Sequence, residues 1–205
     1  MTVIAAARAV DGSVTIGADN ETEVGYLRLR SPGKLHQVGS AIISGFGIRR
    51  VVLKFVELAC RTTELPGADP VKNEAWLRGV ASHWATSMRE AGEGTTDANG
   101  WTLNSALIVA MPGAIWRVDG SGWCDPVQED YTAGGSGAEV AMGALYADRL
   151  SPRALPWLGA ADARNAVQVA LAAACQHSRG CGGPAHILTT IPVGSLEPEE
   201  GPDAR

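Results

Sequence analysis

The chain has 205 residues, a net charge of −5 and 45% hydrophobic residues, which suits one domain of two or more packed layers. An acidic balance without a basic run argues against nucleic acid and anionic membrane surfaces as partners. No apolar run reaches the roughly 18 residues of a membrane span, and the N-terminus lacks the basic-then-apolar plan of a signal peptide. The cysteines Cys60, Cys124, Cys175 and Cys181 show neither CxxC pairing nor metal-ligand spacing. They read as thiols in a reducing compartment, so a cytoplasmic protein is expected.

In chain order, residues 2–10 read as a strand, Asp11-Gly12-Ser13 as a tight turn and residues 14–18 as the returning strand of a hairpin. Residues 34–38 and 41–44 form a second pair, broken at Gly39. The period then changes: Ile48, Val51, Val52, Phe55 and Ala59 fall at helical spacing, which predicts an amphipathic helix over 48–62. After a loop at 64–70, Asp69-Pro70 opens another helix, with Leu77, Val80, Ala81, Trp84 and Met88 on one face and an end near Gly92. Residues 103–110 and 114–118 are strands joined by a turn at Met111-Pro112-Gly113. The alanine-rich stretches 136–150 and 160–178 are helical. The second of these is apolar over more than one face in its later half, which points to self-association. Residues 186–191 form the last strand, and the polar, acidic segment from Gly194 reads as disordered. The chain is thus expected to be one domain over 1–192 with a tail at 193–205. Segregated runs of strands and helices predict an α+β layered fold, two antiparallel sheets between helix pairs.

Thr2 follows the initiator methionine and opens the first strand. Removal of Met1 would leave a hydroxyl and a free α-amine on one residue, a nucleophile with its own base attached. That amine has an unperturbed pKa of about 7.7–8.0, close enough to neutrality to take and return a proton. Taken alone, a Met-Thr start carries little weight.

An ordered set of further motifs adds to it: Asp11-Gly12, then Asp19 at the end of the second strand, Gly33-Lys34, Ser44-Gly45-Phe46-Gly47, the 115–122 hairpin, Gly134-Gly135-Ser136-Gly137, and Gly182-Gly183 before the last strand. With this spacing the chain resembles the proteasome β-subunit and HslV family of N-terminal-threonine hydrolases, up to about residue 192. The resemblance implies a four-layer αββα sandwich of the Ntn-hydrolase type. It also implies a threonine-type peptidase that needs no metal or organic cofactor and acts on polypeptide substrates. In this reading Thr2 is the nucleophile, Lys34 an ammonium beside its Oγ, and Asp19 the carboxylate that holds Lys34 charged and oriented. Gly45 supplies a backbone N–H to the oxyanion, and Ser136 lies near the Thr2 amine. The family's aspartate and serine close to that amine fall at Ser178 and Cys181, with His177 adjacent, and Ile43 falls where an apolar wall of the substrate pocket is expected. The absence of a segment ahead of Met1 resembles the bacterial branch. This implies a homo-oligomeric ring with internal active sites, an ATP-dependent unfoldase being the candidate partner.

Bland readings stand beside these: a frayed Thr2, a solvated Lys34, a turn aspartate at Asp19, a strand-to-helix turn at Gly45, and an N-cap at Ser136. At the level of function, two alternatives stay open. One is a non-catalytic ring or scaffold subunit of the same fold, and the other is an Ntn amidohydrolase acting on a small amide.

Overall fold

The computed structural model describes residues 2–24, 27–30, 33–98, 100–150 and 156–191. The strands are β1 (Val3–Arg8), β2 (Val14–Ala18), β3 (Glu21–Val24), β4 (Leu27–Arg30), β5 (Leu35–Val38), β6 (Ala41–Gly47), β7 (Thr95–Asp97), β8 (Gly100–Thr102), β9 (Ser105–Met111), β10 (Ala114–Val118), β11 (Cys124–Pro126), β12 (Tyr131–Gly135) and β13 (His186–Thr189). The helices are α1 (Arg49–Cys60), α2 (Pro70–Glu90), α3 (Ala138–Leu150) and α4 (Ala160–His177). Among the described residues, no helix is long and apolar enough to cross a membrane.

One sheet runs β12-β1-β2-β13 and the other β11-β10-β9-β6-β5, with antiparallel pairing throughout. The sequence of β1 shows why the sheets stack. Its odd positions Val3, Ala5 and Ala7 pack under α3 and α4, whereas Ile4 and Ala6 face the other sheet. In β9, Leu107, Val109 and Met111 pack under α1 and α2, while Ile108 and Ala110 face inward. A strand covered on both faces reads as an unbroken apolar run, and β1 and β9 are such runs. Three cores result, one between the sheets and one under each helix pair. The αββα sandwich expected from the resemblance is the architecture found.

The boundaries follow local chemistry. The Asp69 carboxylate caps α2, accepting from Val71 N at 2.9 Å and Lys72 N at 3.3 Å. α1 is seated by Phe55 edge-on to Trp84, whose Nε1 donates to Val51 O at 2.9 Å. β6 extends to Gly47 rather than Ser44, because pairing with β9 continues to Gly47↔Ser105.

Sequence reading misses the hairpins β3–β4 and β7–β8, the three-residue β11, and β12. Tyr131-Thr-Ala-Gly-Gly135 has little intrinsic strand preference and is held by pairing with β1 from Ala7↔Tyr131 to Val3↔Gly135. α3 accordingly starts at Ala138, two residues after Ser136. α4 buries Ala163, Ala166, Val167, Ala170, Leu171 and Ala174 along one stripe. Its outer face carries the exposed Val169 but also Arg164, Asn165 and Gln168. The expected tail at 193–205 lies outside the described residues.

Candidate active site

Thr2, Asp19, Lys34 and Ser136 meet because four strand ends meet. Thr2 precedes β1, Asp19 follows β2, Lys34 precedes β5 and Ser136 follows β12. The first hairpin closes through Asp19 N donating to Val3 O at 3.1 Å and Val3 N donating to Asp19 Oδ1 at 2.9 Å. The carboxylate is therefore fixed by backbone before any other group approaches.

The Lys34 ammonium donates to Asp19 Oδ1 at 2.8 Å, to Thr2 Oγ1 at 3.1 Å and to the Glu21 carbonyl. Asp19 Oδ2 accepts from Glu21 N at 3.3 Å and Gly182 N at 3.4 Å. The Asp19 side chain is fully buried and that of Lys34 is 10% exposed. Such a pair persists only where both partners keep their bonds, and here every donor and acceptor position of the Lys34–Asp19 contact is filled. Ser44, buried in β6, donates its hydroxyl to Lys34 O at 2.9 Å, tying the lysine's backbone to the strand it pairs with.

Ser136 Oγ accepts from the Thr2 nitrogen at 3.3 Å, donates to Thr2 O at 3.3 Å and lies 3.7 Å from Cys181 Sγ. Among the described residues its hydroxyl thus turns to Thr2 and not to the N–H groups of α3, which replaces the N-cap reading. The Thr2 nitrogen is a peptide nitrogen while Met1 is attached; after its removal the same atom is an amine. Burial pushes the Cys181 thiol up, with the Ser136 hydrogen bond pulling the other way, so Cys181 meets Ser136 as a neutral thiol. Cys175, near the C-terminal end of α4, is pushed to about 11, chiefly by burial and then by Asp19.

Ser178 ends α4 as its C-cap, its N–H donating to Ala174 O at 2.8 Å. Its side chain makes no hydrogen bond among the described residues, so of the two expected support positions only Cys181 reaches the Thr2–Ser136 pair. His177 is exposed on the last turn of α4.

Gly45 stands one residue past the last β5–β6 pair, Leu35↔Ser44, and hence beside Lys34. Its lack of a side chain has a packing reason: a Cβ there would lie 2.6 and 2.7 Å from the two methyls of Val52 in α1. The glycine lets α1 seat against the sheet, whatever its N–H does. Ile43, expected as a pocket wall, is fully buried in the core beneath α1 and α2.

Gly135 has a site-specific reason. Its φ of +88° is unfavourable for other residues, and a Cβ would overlap the Thr2 carbonyl. Gly135→Ala should displace Thr2 from Ser136 and cost about 2–4 kcal/mol, the sum of left-handed strain and a backbone clash. Thermal unfolding and peptide hydrolysis measured together check this, and an unchanged melting temperature would overturn it.

The Gly182 N–H and the Ser44 hydroxyl are parts of the site that sequence reading misses. Asp19 and Gly182 are 163 positions apart, and nothing local marks either contact.

Solved structures resemble this fold over nearly the whole chain. Thiobacillus denitrificans BPH matches at 21% identity with a TM-score of 0.75, over 93% of this chain and 98% of that one. The same protein in complex with epoxomicin matches at 19% identity and a TM-score of 0.73, with the same shares covered. Eukaryotic HslV from Trypanosoma brucei matches at 18% and 0.65, over 91% of this chain and 98% of that one. This chain has the HslV fold. No family model and no curated protein sequence matches it. At such identities it is backbone architecture that the HslV fold shares across these chains, and the chemistry of this one has to be argued from its own side chains.

Proposed function

We propose that the protein is a threonine-type peptidase, with Thr2 as nucleophile once Met1 is removed. The observation that carries this is the Lys34 ammonium, 3.1 Å from Thr2 Oγ1 and 2.8 Å from the buried Asp19. A cation fixed beside a hydroxyl stabilises the oxygen as it loses its proton. In the reaction Thr2 Oγ attacks the scissile carbonyl while its proton passes to the Thr2 amine. The resulting oxyanion is met by the Gly45 N–H. The amine then returns the proton to the departing amine as the C–N bond breaks, leaving an ester on Thr2. Water, losing a proton to the same amine, hydrolyses the ester and regenerates the hydroxyl. Ser136, bonded to the Thr2 nitrogen, holds that base in place, and Cys181 supports Ser136.

Assembly into a ring of identical subunits belongs to the same reading. The resemblance implies it, and the exposed Tyr146 and Leu150 of α3 and Val169 of α4 supply apolar surface for neighbours. An ATP-dependent unfoldase is the partner such a ring would take. A non-catalytic subunit of the same fold is the second reading, favoured by Ser178 in place of an acid near the amine.

Intact mass before and after treatment with a peptide epoxyketone separates the two, because that warhead closes its ring on the hydroxyl and free amine of one N-terminal residue. The expected result is a chain lacking Met1 that gains one inhibitor mass. A chain that retains Met1 and gains none would support the scaffold reading.

A further inference from the structure

Glu21 opens β3, two residues past Asp19, and its backbone is engaged in the site. Its N–H donates to Asp19 Oδ2 at 3.3 Å, and its carbonyl accepts from the Lys34 ammonium. Any residue but proline supplies those two groups, so they give no reason for an acid at this position. The side chain turns to the loop ahead of β13. A Cβ on Gly182 would lie 2.7 Å from Glu21 Cδ and 2.8 Å from each carboxylate oxygen. The carboxylate thus rests against the α-carbon of Gly182, with Oε2 shielded from solvent.

The Gly182 N–H donates to Asp19 Oδ2 at 3.4 Å, so two carboxylates bracket one glycine. Neighbouring carboxylates disfavour each other's charge, and the arrangement is favourable only where cations face it. Lys34 is one such cation. Removal of Met1 creates another, because the Thr2 nitrogen becomes an amine that can carry a proton. That nitrogen is tied to the same loop: Ser136 Oγ lies 3.3 Å from it and 3.7 Å from the Sγ of Cys181, the residue before Gly182. Position 178, where the resemblance implies an acid near the amine, holds a serine.

The groups around Glu21 fix the sign of its effect. On α4 and the loop after it, Cys175 and Cys181 are raised by burial first and stay neutral, while His177 and Arg179 are exposed. Across the β3–β4 ladder the paired position is Arg30. Removing a negative charge leaves these surroundings more positive whichever way Arg30 is engaged.

We infer that Glu21 tunes the Thr2 amine: its carboxylate, held against Gly182, supplies from β3 the negative charge that position 178 lacks. It acts through the amine, as a positioning residue, and offsets Lys34, which by itself favours the amine's neutral form. This rests on the reading of Thr2 as nucleophile and of its amine as base.

The test is the pH profile of kcat/KM on a peptide amide of 7-amino-4-methylcoumarin. The amine must be neutral to accept a proton, so the acid limb of that profile reports it. A nearby carboxylate favours the charged amine, and its loss should move the limb to lower pH. Glu21→Gln keeps size and shape. Its acid limb should lie about half a unit to one unit below wild type, the scale of one unit charge roughly 10 Å away in a partly buried site. Glu21→Ala should move the limb the same way, and Glu21→Asp, which keeps the charge, should bring it back towards wild type. If the side chain merely filled space beside Gly182, the neutral variants would lower the plateau and leave the limb in place, which would overturn the assignment. Absence of any cleavage that Thr2→Ala removes would overturn the nucleophile reading and this inference together.

Discussion

Thr2→Ala is expected to remove peptide hydrolysis by at least about 10⁴-fold, the scale on which deletion of a nucleophile acts when its supporting groups act through it. The fold should be untouched. Thr2 precedes β1, and the first strand is held by Val3 onward, through the Asp19 contacts and pairing with β2 and β12. A variant with a wild-type melting curve and no activity is the outcome to look for, read by steady-state hydrolysis and calorimetry on one preparation. A normally folded Thr2→Ala protein that still cleaves peptides would remove the mechanism proposed above. Thr2→Ser is the informative companion, since it keeps both hydroxyl and amine and should retain measurable turnover.

Asp19→Ala is expected to cost both activity and stability, the latter by about 3–5 kcal/mol, the usual effect of removing one member of a buried ion pair. The carboxylate accepts four hydrogen bonds, three of them from the backbone amides of Val3, Glu21 and Gly182, and it neutralises an ammonium only 10% exposed. Without it Lys34 is left charged with little exposure to solvent. For a chain of this size that corresponds to a fall in melting temperature on the order of 10 °C. Adding Lys34→Met should restore part of the stability by removing the uncompensated charge, while activity stays absent. The double-variant cycle thus separates the electrostatic cost from the catalytic one. If Asp19→Ala melted like wild type, the buried pair would not have the role assigned to it.

Most elements with a strong period were legible beforehand. The two central hairpin strands, α1 and α2 with their apolar stripes, and the Asp69 cap all follow from side-chain spacing and local hydrogen bonding. β12 was not, because Tyr131-Thr-Ala-Gly-Gly135 owes its strand conformation to its partner β1, not to its own residues. Missing it hid the reason for Gly135, which is the Thr2 carbonyl lying against it. Gly45 shows a different limit: the family resemblance implies an oxyanion N–H there, but the lack of a side chain answers to Val52 on α1. Ile43 shows the same thing in reverse. It was expected to line a pocket, but the residues of α1 and α2 cover it completely.

The sequence by itself determined the layering, since β1 over Val3–Ala7 and β9 over Ala106–Met111 are apolar at every position and strands of that kind need cover on both faces. It also determined which residue types were at hand for the catalysis proposed at Thr2, Asp19, Lys34 and Ser136. Only the tertiary structure decided that these four come within hydrogen-bond reach, and that Cys181 rather than Ser178 backs Ser136. The physical reason is that each of these contacts joins segments distant in the chain. Such contacts depend on sheet register and on how α1 and α4 seat against the strands, neither of which leaves a local mark in the sequence.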